Sequence, residues 1–138
     1  MVFMRLFLSA AGVIIKDNKI LLCQRSSNEK RFPLYWACPA GTKKPDDENF
    51  EATAKREVEE EIGVIFNPIR FFKINCFEME DMKFENHVFL GSIEGEIKLD
   101  PEEVNDCGWF TYKNAKKLNL AFSYSRLLDD LLEAKLLQ

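Results

Sequence analysis

Gly41 to Val64 reads GTKKPDDENFEATAKREVEEEIGV, and its second half carries the densest chemistry in the chain. Residues on an α-helix advance by about 100° each. A helix here therefore brings Glu57, Glu60 and Glu61 within about a third of its circumference and turns Glu59 to the opposite side. Like charges at this spacing repel and cost a helix stability. A run of acids is most often a solvated helix face. In this stretch, however, Ala54, Val58 and Ile62 form an i, i+4 apolar row beside the acids. The acids thus border the buried face instead of lying across from it. Carboxylates held there are relieved by a cation. Oxygen-only ligands select a hard ion, Mg²⁺ with Mn²⁺ as a substitute, and such an ion keeps several waters and shares its remaining positions with substrate phosphate.

Local signals bound that helix. Pro45, Asp46 and Asp47 read as a loop. Asn49 is a good N-cap, and Glu51 falls in the first turn, where the helix dipole favours an acid. Gly63 serves as the left-handed residue that ends the helix after Ile62.

At 138 residues the chain is long enough for one domain with a real core. Its 46% hydrophobic and 30% charged residues describe an ordinary globular protein. The net charge of −4 argues against a broad surface for polymeric nucleic acid, while a metal and a few local cations can still hold a nucleotide. No run reaches the roughly 18 apolar residues of a membrane span, and residues 1–15 lack a small-residue cleavage site. Cys23, Cys38, Cys76 and Cys107 form no CxxC pair. They read as free thiols, each a small buried hydrophobe, in a cytoplasmic protein.

Working outward, residues 3–15 read as a long strand and Ile20 to Arg25 as its hairpin partner. Both are nearly continuous in apolar character, which predicts burial on two faces and helices on both sides of the sheet. Ser26 to Leu34 is a polar loop carrying Lys30 and Arg31 that closes over a ligand. Pro68 opens a strand near Ile69 to Glu80, and Phe84 to Ile93 returns after a turn. Along that return Phe84, Asn86, Val88 and Leu90 alternate against Glu85, His87, Phe89 and Gly91, giving two distinct faces. His87, the one histidine, is a structural or substrate-facing residue and not a ligand for a hard ion. Lys98 to Gly108 reads as a loop before a short strand, Trp109 to Thr111. Tyr112 to Leu118 is a short helix. Ser123 or Ser125 caps a last helix through Leu136, with Leu127, Leu128, Leu131, Leu132 and Leu136 as its apolar stripe.

The quoted stretch resembles the Nudix box, G-x5-E-x7-R-E-U-x-E-E-x-G-U, where U is a bulky aliphatic residue. From Glu48 the match runs through Arg56, Glu57, Val58, Glu60, Glu61, Gly63 and Val64. Upstream, six residues instead of five separate Gly41 from Glu48, as a one-residue insertion in the loop would produce. Tyr35 to Gly41 (YWACPAG) is similar to the family's W-x-x-P-G-G lead-in, with Ala40 in place of one glycine. The resemblance implies an α/β fold, a Nudix-type α/β/α sandwich with a mixed sheet between helices, spanning residues 1–138 as one domain. It implies that Glu57, Glu60, Glu61 and the Gly41 carbonyl hold Mg²⁺. It places Glu57, Glu60 and Glu103 at the catalytic step, with Glu57 or Glu103 as general base. Arg25, in the QR that ends the second strand, and Arg31 bind substrate phosphate through a planar fork suited to it. Arg56 orients the box glutamates by a salt bridge from a side turned away from them.

The implied activity is cleavage of a nucleoside diphosphate linked to another group, by water attack on phosphorus. The compact, MutT-like layout points to a (deoxy)nucleoside triphosphate, plain or oxidised, taken by a monomer or homodimer. Trp36, Phe32, Glu85, His87, Phe122 and Tyr124 are the candidates for contact with the base, although Trp36 fits the core better. Two other classes compete. The segment QRSSNEKRFPLYW is similar to the lead-in of isopentenyl-diphosphate isomerases, which use a cysteine near the first box glycine; Cys38 is close but offset, and the box here is intact. Nonhydrolytic nucleotide-binding domains of this fold tend to lose box glutamates, and this chain keeps them.

Overall fold

The computed structural model describes residues 3–138; Met1 and Val2, at the head of the stretch read for a cleavage signal, lie outside the described residues. Strand β1 (Arg5–Lys16) turns at Asp17 and Asn18, both at positive φ, into β2 (Lys19–Arg25). Short strands β3 (Trp36–Ala37) and β4 (Ala40–Thr42) lead to helix α1 (Phe50–Ile62). A long hairpin follows, β5 (Ile65–Met79) and β6 (Met82–Glu94), then β7 (Val104–Phe110), α2 (Tyr112–Ala115) and α3 (Tyr124–Glu133). No helix among the described residues is long and apolar enough to cross a membrane.

The sheet is mixed. β1 runs parallel to β6 from Arg5↔Met82 to Ile14↔Gly91 and antiparallel to β4. The expected β1–β2 hairpin forms, but pairs only at Ile15↔Ile20 and Lys16↔Lys19. Beyond that point β2 leaves β1 and pairs with β3 and β7 instead. The sheet therefore opens into two halves, β5-β6-β1-β4 and β3-β2-β7, joined at one corner.

Alternation along β1 and β2 builds a core on each side. Ala10, Ile14, Leu21 and Cys23 pack with Ala54, Val58 and Ile62 of α1. Ala11, Val13, Ile20 and Leu22 pack with Leu127, Leu128 and Leu131 of α3. This is the α/β/α arrangement expected of two strands apolar on both faces.

Several boundaries differ from the sequence reading. β5 begins at Ile65 with Pro68 inside it; β5 is the outer strand, and the register shifts between Pro68 and Arg70, so the missing N–H costs no ladder bond. β7 begins at Val104, because pairing from Arg25↔Val104 to Ile20↔Phe110 overrides the weak strand propensity of Asn105 and Asp106. α3 stops at Glu133. Lys135 takes φ 60° there, and the Leu136 N–H reaches the Leu131 carbonyl (3.0 Å), a Schellman closure with lysine where glycine is usual. That turn buries Leu137 and leaves Leu132 38% exposed, outside the stripe assigned to it. All four cysteines are free, but only Cys23 and Cys38 are buried; Cys76 is exposed on β5 and Cys107 half-buried.

Candidate active site

Helix α1 is fixed at both ends and along one face. Asn49 Oδ1 accepts from the Ala52 N–H (2.8 Å), and Gly63, at φ 69°, donates to the Glu59 carbonyl (3.0 Å). Ala54, Val58 and Ile62 are fully buried and set the helix rotation. That rotation carries Glu61 into the interior, 9% exposed, while the Glu57 side chain is 13% exposed and that of Glu60 50%. The three acids thus run from the core to the solvent along one edge.

Strand β4 lies across this edge. Glu61 Oε1 accepts from the Ala40 N–H (3.3 Å). A side chain at Gly41 would collide with the Glu57 carboxylate, so glycine here leaves that carboxylate its place against the strand. Arg56 ties the arrangement together. Its Nη1 donates to Glu57 Oε1 (2.7 Å) and to both Glu60 oxygens (3.3 Å), and its Nη2 to the Thr42 carbonyl (3.0 Å). Arg56 and Glu60 are an i, i+4 pair, so the arginine stands beside the acids; the expectation that it points away from them is corrected.

Glu103 reaches the same place by another route. The Lys98 and Asp100 N–H groups donate to the free Ile62 and Glu61 carbonyls at the C-terminus of α1 (2.8 and 3.0 Å), and Glu103 and Val104 bond back to Asp100. The loop is thereby pinned under the helix end, with Glu103 on the cavity wall.

Burial dominates the electrostatics here. It drives the Glu61 carboxyl well above the ordinary glutamate value, and the nearby Glu57 charge adds to this. Glu57 is raised chiefly by burial, against the opposing pull of Arg56. Glu103 is raised by burial and then by Glu29, Asp100 and Glu60. Among the described residues no three His, Cys, Asp or Glu side chains converge as a ready ligand cage; Arg56 and the Ala40 amide hold the oxygens that such a cage would use. The donor set nevertheless fits a hard divalent ion. It is all oxygen, its members destabilise one another's charge, and the buried Glu61 has one long hydrogen bond to a neutral amide.

Across the cavity stand the two arginines. Arg25 donates through Nε and Nη2 to the Arg31 carbonyl (3.1 and 2.9 Å) and through Nη2 to Glu29 (3.3 Å), with its guanidinium 5.1 Å from the Phe122 ring centre. The Arg31 guanidinium lies 5.1 and 5.2 Å from the rings of Phe7 and Phe84. Each cation is thus positioned over an aromatic face. Arg25, Arg31, Gly41, Glu57, Glu60, Glu61 and Glu103 all line one cavity of about 400 Å³, between the two halves of the sheet.

The family model of the NUDIX domain matches residues 6–131. The chain belongs to the Nudix family. It is 31% identical over 140 residues to an ADP-ribose pyrophosphatase of Methanocaldococcus jannaschii (95% of this chain, 78% of that protein). It is 35% identical over 121 residues to an 8-oxo-dGTP diphosphatase of Buchnera aphidicola (87% and 88%). It is 29% identical over 107 residues to an isopentenyl-diphosphate Delta-isomerase of Nocardia farcinica, matching 72% of this chain and spanning 61% of that protein's length. In fold it superposes on a MutT protein from Methanosarcina mazei with a TM-score of 0.83 at 23% identity, over 98% of each chain.

With the Nudix box now seen in three dimensions, its irregular spacing resolves. Glu48 is exposed and does not line the cavity. Asp47, separated from Gly41 by five residues, takes the Arg56 Nε and Nη2 hydrogens (3.0 and 2.8 Å), the Thr53 hydroxyl (2.9 Å) and the Lys44 N–H (2.8 Å). The Arg56 hydrogen bonds, then the Lys44 amide, hold its carboxyl far below the usual aspartate range. The five-residue spacing from Gly41 was the signal for this residue; counting back from Arg56 missed it.

The candidates for base contact divide. Phe122 and Tyr124 line the cavity. Phe32 packs behind Phe122 (4.7 Å), and Trp36 packs on Phe110 in the core (5.2 Å). Glu85 and His87 alternate onto the α1 face, where His87 stacks on Phe50 at 3.6 Å. Sequence reasoning missed Ser9, Asn75, Phe77, Phe84 and Asn86, which line the cavity from the α3 face. The Phe84/Asn86 alternation was the available signal; the β5 partners Phe77 and Asn75 follow only from register.

Proposed function

We propose that this protein is a Mg²⁺-dependent hydrolase of the diphosphate bond in a nucleoside diphosphate derivative, with a (deoxy)nucleoside triphosphate as its first substrate class. The observation that carries this reading is the single cavity in which two aromatic-backed arginines face four carboxylates, those of Glu57, Glu60, Glu61 and Glu103. The pyrophosphatase and diphosphatase relatives support the same bond class. In the Nudix family a divalent metal ion is the general requirement; Glu57, Glu60, Glu61 and the Gly41 carbonyl fit it here.

When bound, the ion supplies positive charge to the diphosphate and acidifies a water. Arg25 and Arg31 draw the phosphate chain to the far wall and fix its direction. Arg56 keeps Glu57 and Glu60 aimed at the cavity, anchored itself on Asp47. Glu57 or Glu103 removes a proton from the attacking water; burial raises both carboxyls above the ordinary glutamate value, which makes each a better base once ionised.

A hydrolysis screen with Mg²⁺ over nucleoside triphosphates, ADP-ribose, nucleotide sugars, dinucleoside polyphosphates and capped RNA tests this. Cleavage of a nucleoside diphosphate bond is expected, with at least a ~10²-fold loss in Glu60→Gln or Glu61→Gln. Full activity in either variant would sink the assignment. The isomerase reading keeps one specific observation: Cys38 lines the cavity with its thiol pushed up to about 12 by burial and by Glu61. Conversion of isopentenyl diphosphate without phosphate release would favour it.

A further inference from the structure

On the α3 side of the cavity, beyond the arginines, the lining changes from charged to aromatic and amide. Phe77 and Phe84 are register partners on β5 and β6, and Phe122 closes on both at 5.8 and 5.1 Å. Two residues along each strand, and so on the same face, Asn75 and Asn86 are also register partners. Phe122 adopts φ 47°, a costly conformation for an aromatic residue, and so delivers its ring to this wall just before the start of α3.

The two amides differ. Asn86 is satisfied at both ends: its Oδ1 accepts from the Ser9 hydroxyl (3.1 Å), and its Nδ2 donates to the Tyr124 oxygen (3.1 Å). Asn75 is 3% exposed, and its Nδ2 donates to the Ser123 carbonyl (3.3 Å). That bond fixes which way the amide faces, since the flipped amide would set oxygen against oxygen. Its Oδ1 is the one buried side-chain polar atom without a hydrogen-bond partner among the described residues. A buried unpaired acceptor costs about 1–3 kcal/mol, and Asn75 is among the residues that line a cavity sized for a ligand. Beside it, the Tyr124 oxygen already accepts from Asn86, which leaves its hydrogen to donate.

We propose that Asn75 is the base-reading residue: its Oδ1 accepts a hydrogen bond from an exocyclic amine of the nucleobase, while the Tyr124 hydroxyl donates to the unprotonated ring nitrogen beside that amine. One acceptor and one donor match the amine and ring nitrogen of a 6-aminopurine or 4-aminopyrimidine edge. Uracil and guanine present the reverse order on that edge, an exocyclic oxygen that accepts and a ring N–H that donates. Phe77, Phe84 and Phe122 supply the apolar wall on which the base stacks. The inference rests on the nucleotide reading of the site but does not need the hydrolytic one.

The test uses the full chain and probes that cannot be hydrolysed at a diphosphate. AMP and purine riboside 5′-monophosphate, which lacks the amine, are titrated calorimetrically into the wild type and Asn75→Leu. The wild type is expected to prefer AMP about tenfold, as one buried hydrogen bond allows, and the variant to bind both within twofold. CMP against its 4-deamino analogue should behave alike. Tyr124→Phe should erase the preference for AMP over 1-deaza-AMP and leave the amine preference in place. Equal wild-type affinity for AMP and its amine-free analogue overturns the proposal, as does no binding of AMP or CMP at millimolar concentration, or an unchanged gap in a folded Asn75→Leu. If Asn75→Leu fails to fold, the wild-type analogue series alone decides. A collapsed gap without any diphosphate hydrolysis would retain the base reading and reject the hydrolase.

Discussion

In its proposed role as a metal ligand, Glu61 would serve chemistry at the expense of the fold. Its carboxyl is raised well above the ordinary value of 4.5 by burial. In the metal-free protein the folded state therefore keeps a proton that the unfolded chain has released. The folded state binds more protons, so stability falls as pH rises from about 4.5 through the raised folded value. Glu61→Gln removes this dependence. The variant should melt higher than the wild type at pH 8 without metal and show a flatter decline between pH 5 and pH 8, while hydrolysis is lost. Saturating Mg²⁺ should raise the wild-type melting temperature and leave that of the variant nearly unmoved. Parallel pH profiles in the two proteins would contradict this account. Gly41 makes a second residue-level case. Gly41→Ala should displace Glu57 and lower kcat at least tenfold, measured with the substrate that the screen identifies. The identities of these residues were legible in the sequence; the partner of Arg56 was not, because an insertion offers two ways to count and only packing selects Asp47.

The helix α1 was the most readable element in the chain. Its cap, its apolar row and its terminal glycine all agree on one boundary pair, and local agreement of that kind is what sequence encodes best. Asn49→Ala should cost about 1 kcal/mol, read as a lower urea midpoint at unchanged m-value. Gly63→Ala should cost as much or more, because the residue sits at φ 69° and an added Cβ would lie 2.9 Å from the Lys98 carbonyl. A neutral effect at Gly63 would mean that the helix end rearranges. Elements whose extent depends on distant partners were harder to place. β7 looks polar from Asn105 to Asp106 and becomes a strand only because β2 offers it an edge. Leu132 fits the α3 stripe by period, yet the left-handed turn at Lys135 gives its place to Leu137.

At the scale of the molecule, two cores share one pair of strands. Val58 lies in the core under α1 and Leu131 in the core under α3, both fully buried. Since β1 and β2 contribute side chains to each, the cores should melt together. Leu131→Ala should cost about 2–5 kcal/mol, and Val58→Ala should lower the same single transition. Two separate transitions in either variant would show that the halves unfold independently. The sandwich was legible from the unbroken apolar runs of β1 and β2, but the parting of those strands after Ile20 was not, because a hairpin reads alike whether two or six pairs form. That short junction has a lasting consequence. The acids of the proposed catalytic site hang from α1 and lean on β4, whereas the amide and phenyl groups lining the far recess belong to β5, β6 and the approach to α3. Lineages descended from such a scaffold can exchange residues 75, 77, 84 and 122 to accept a new molecule and still inherit the blade unaltered.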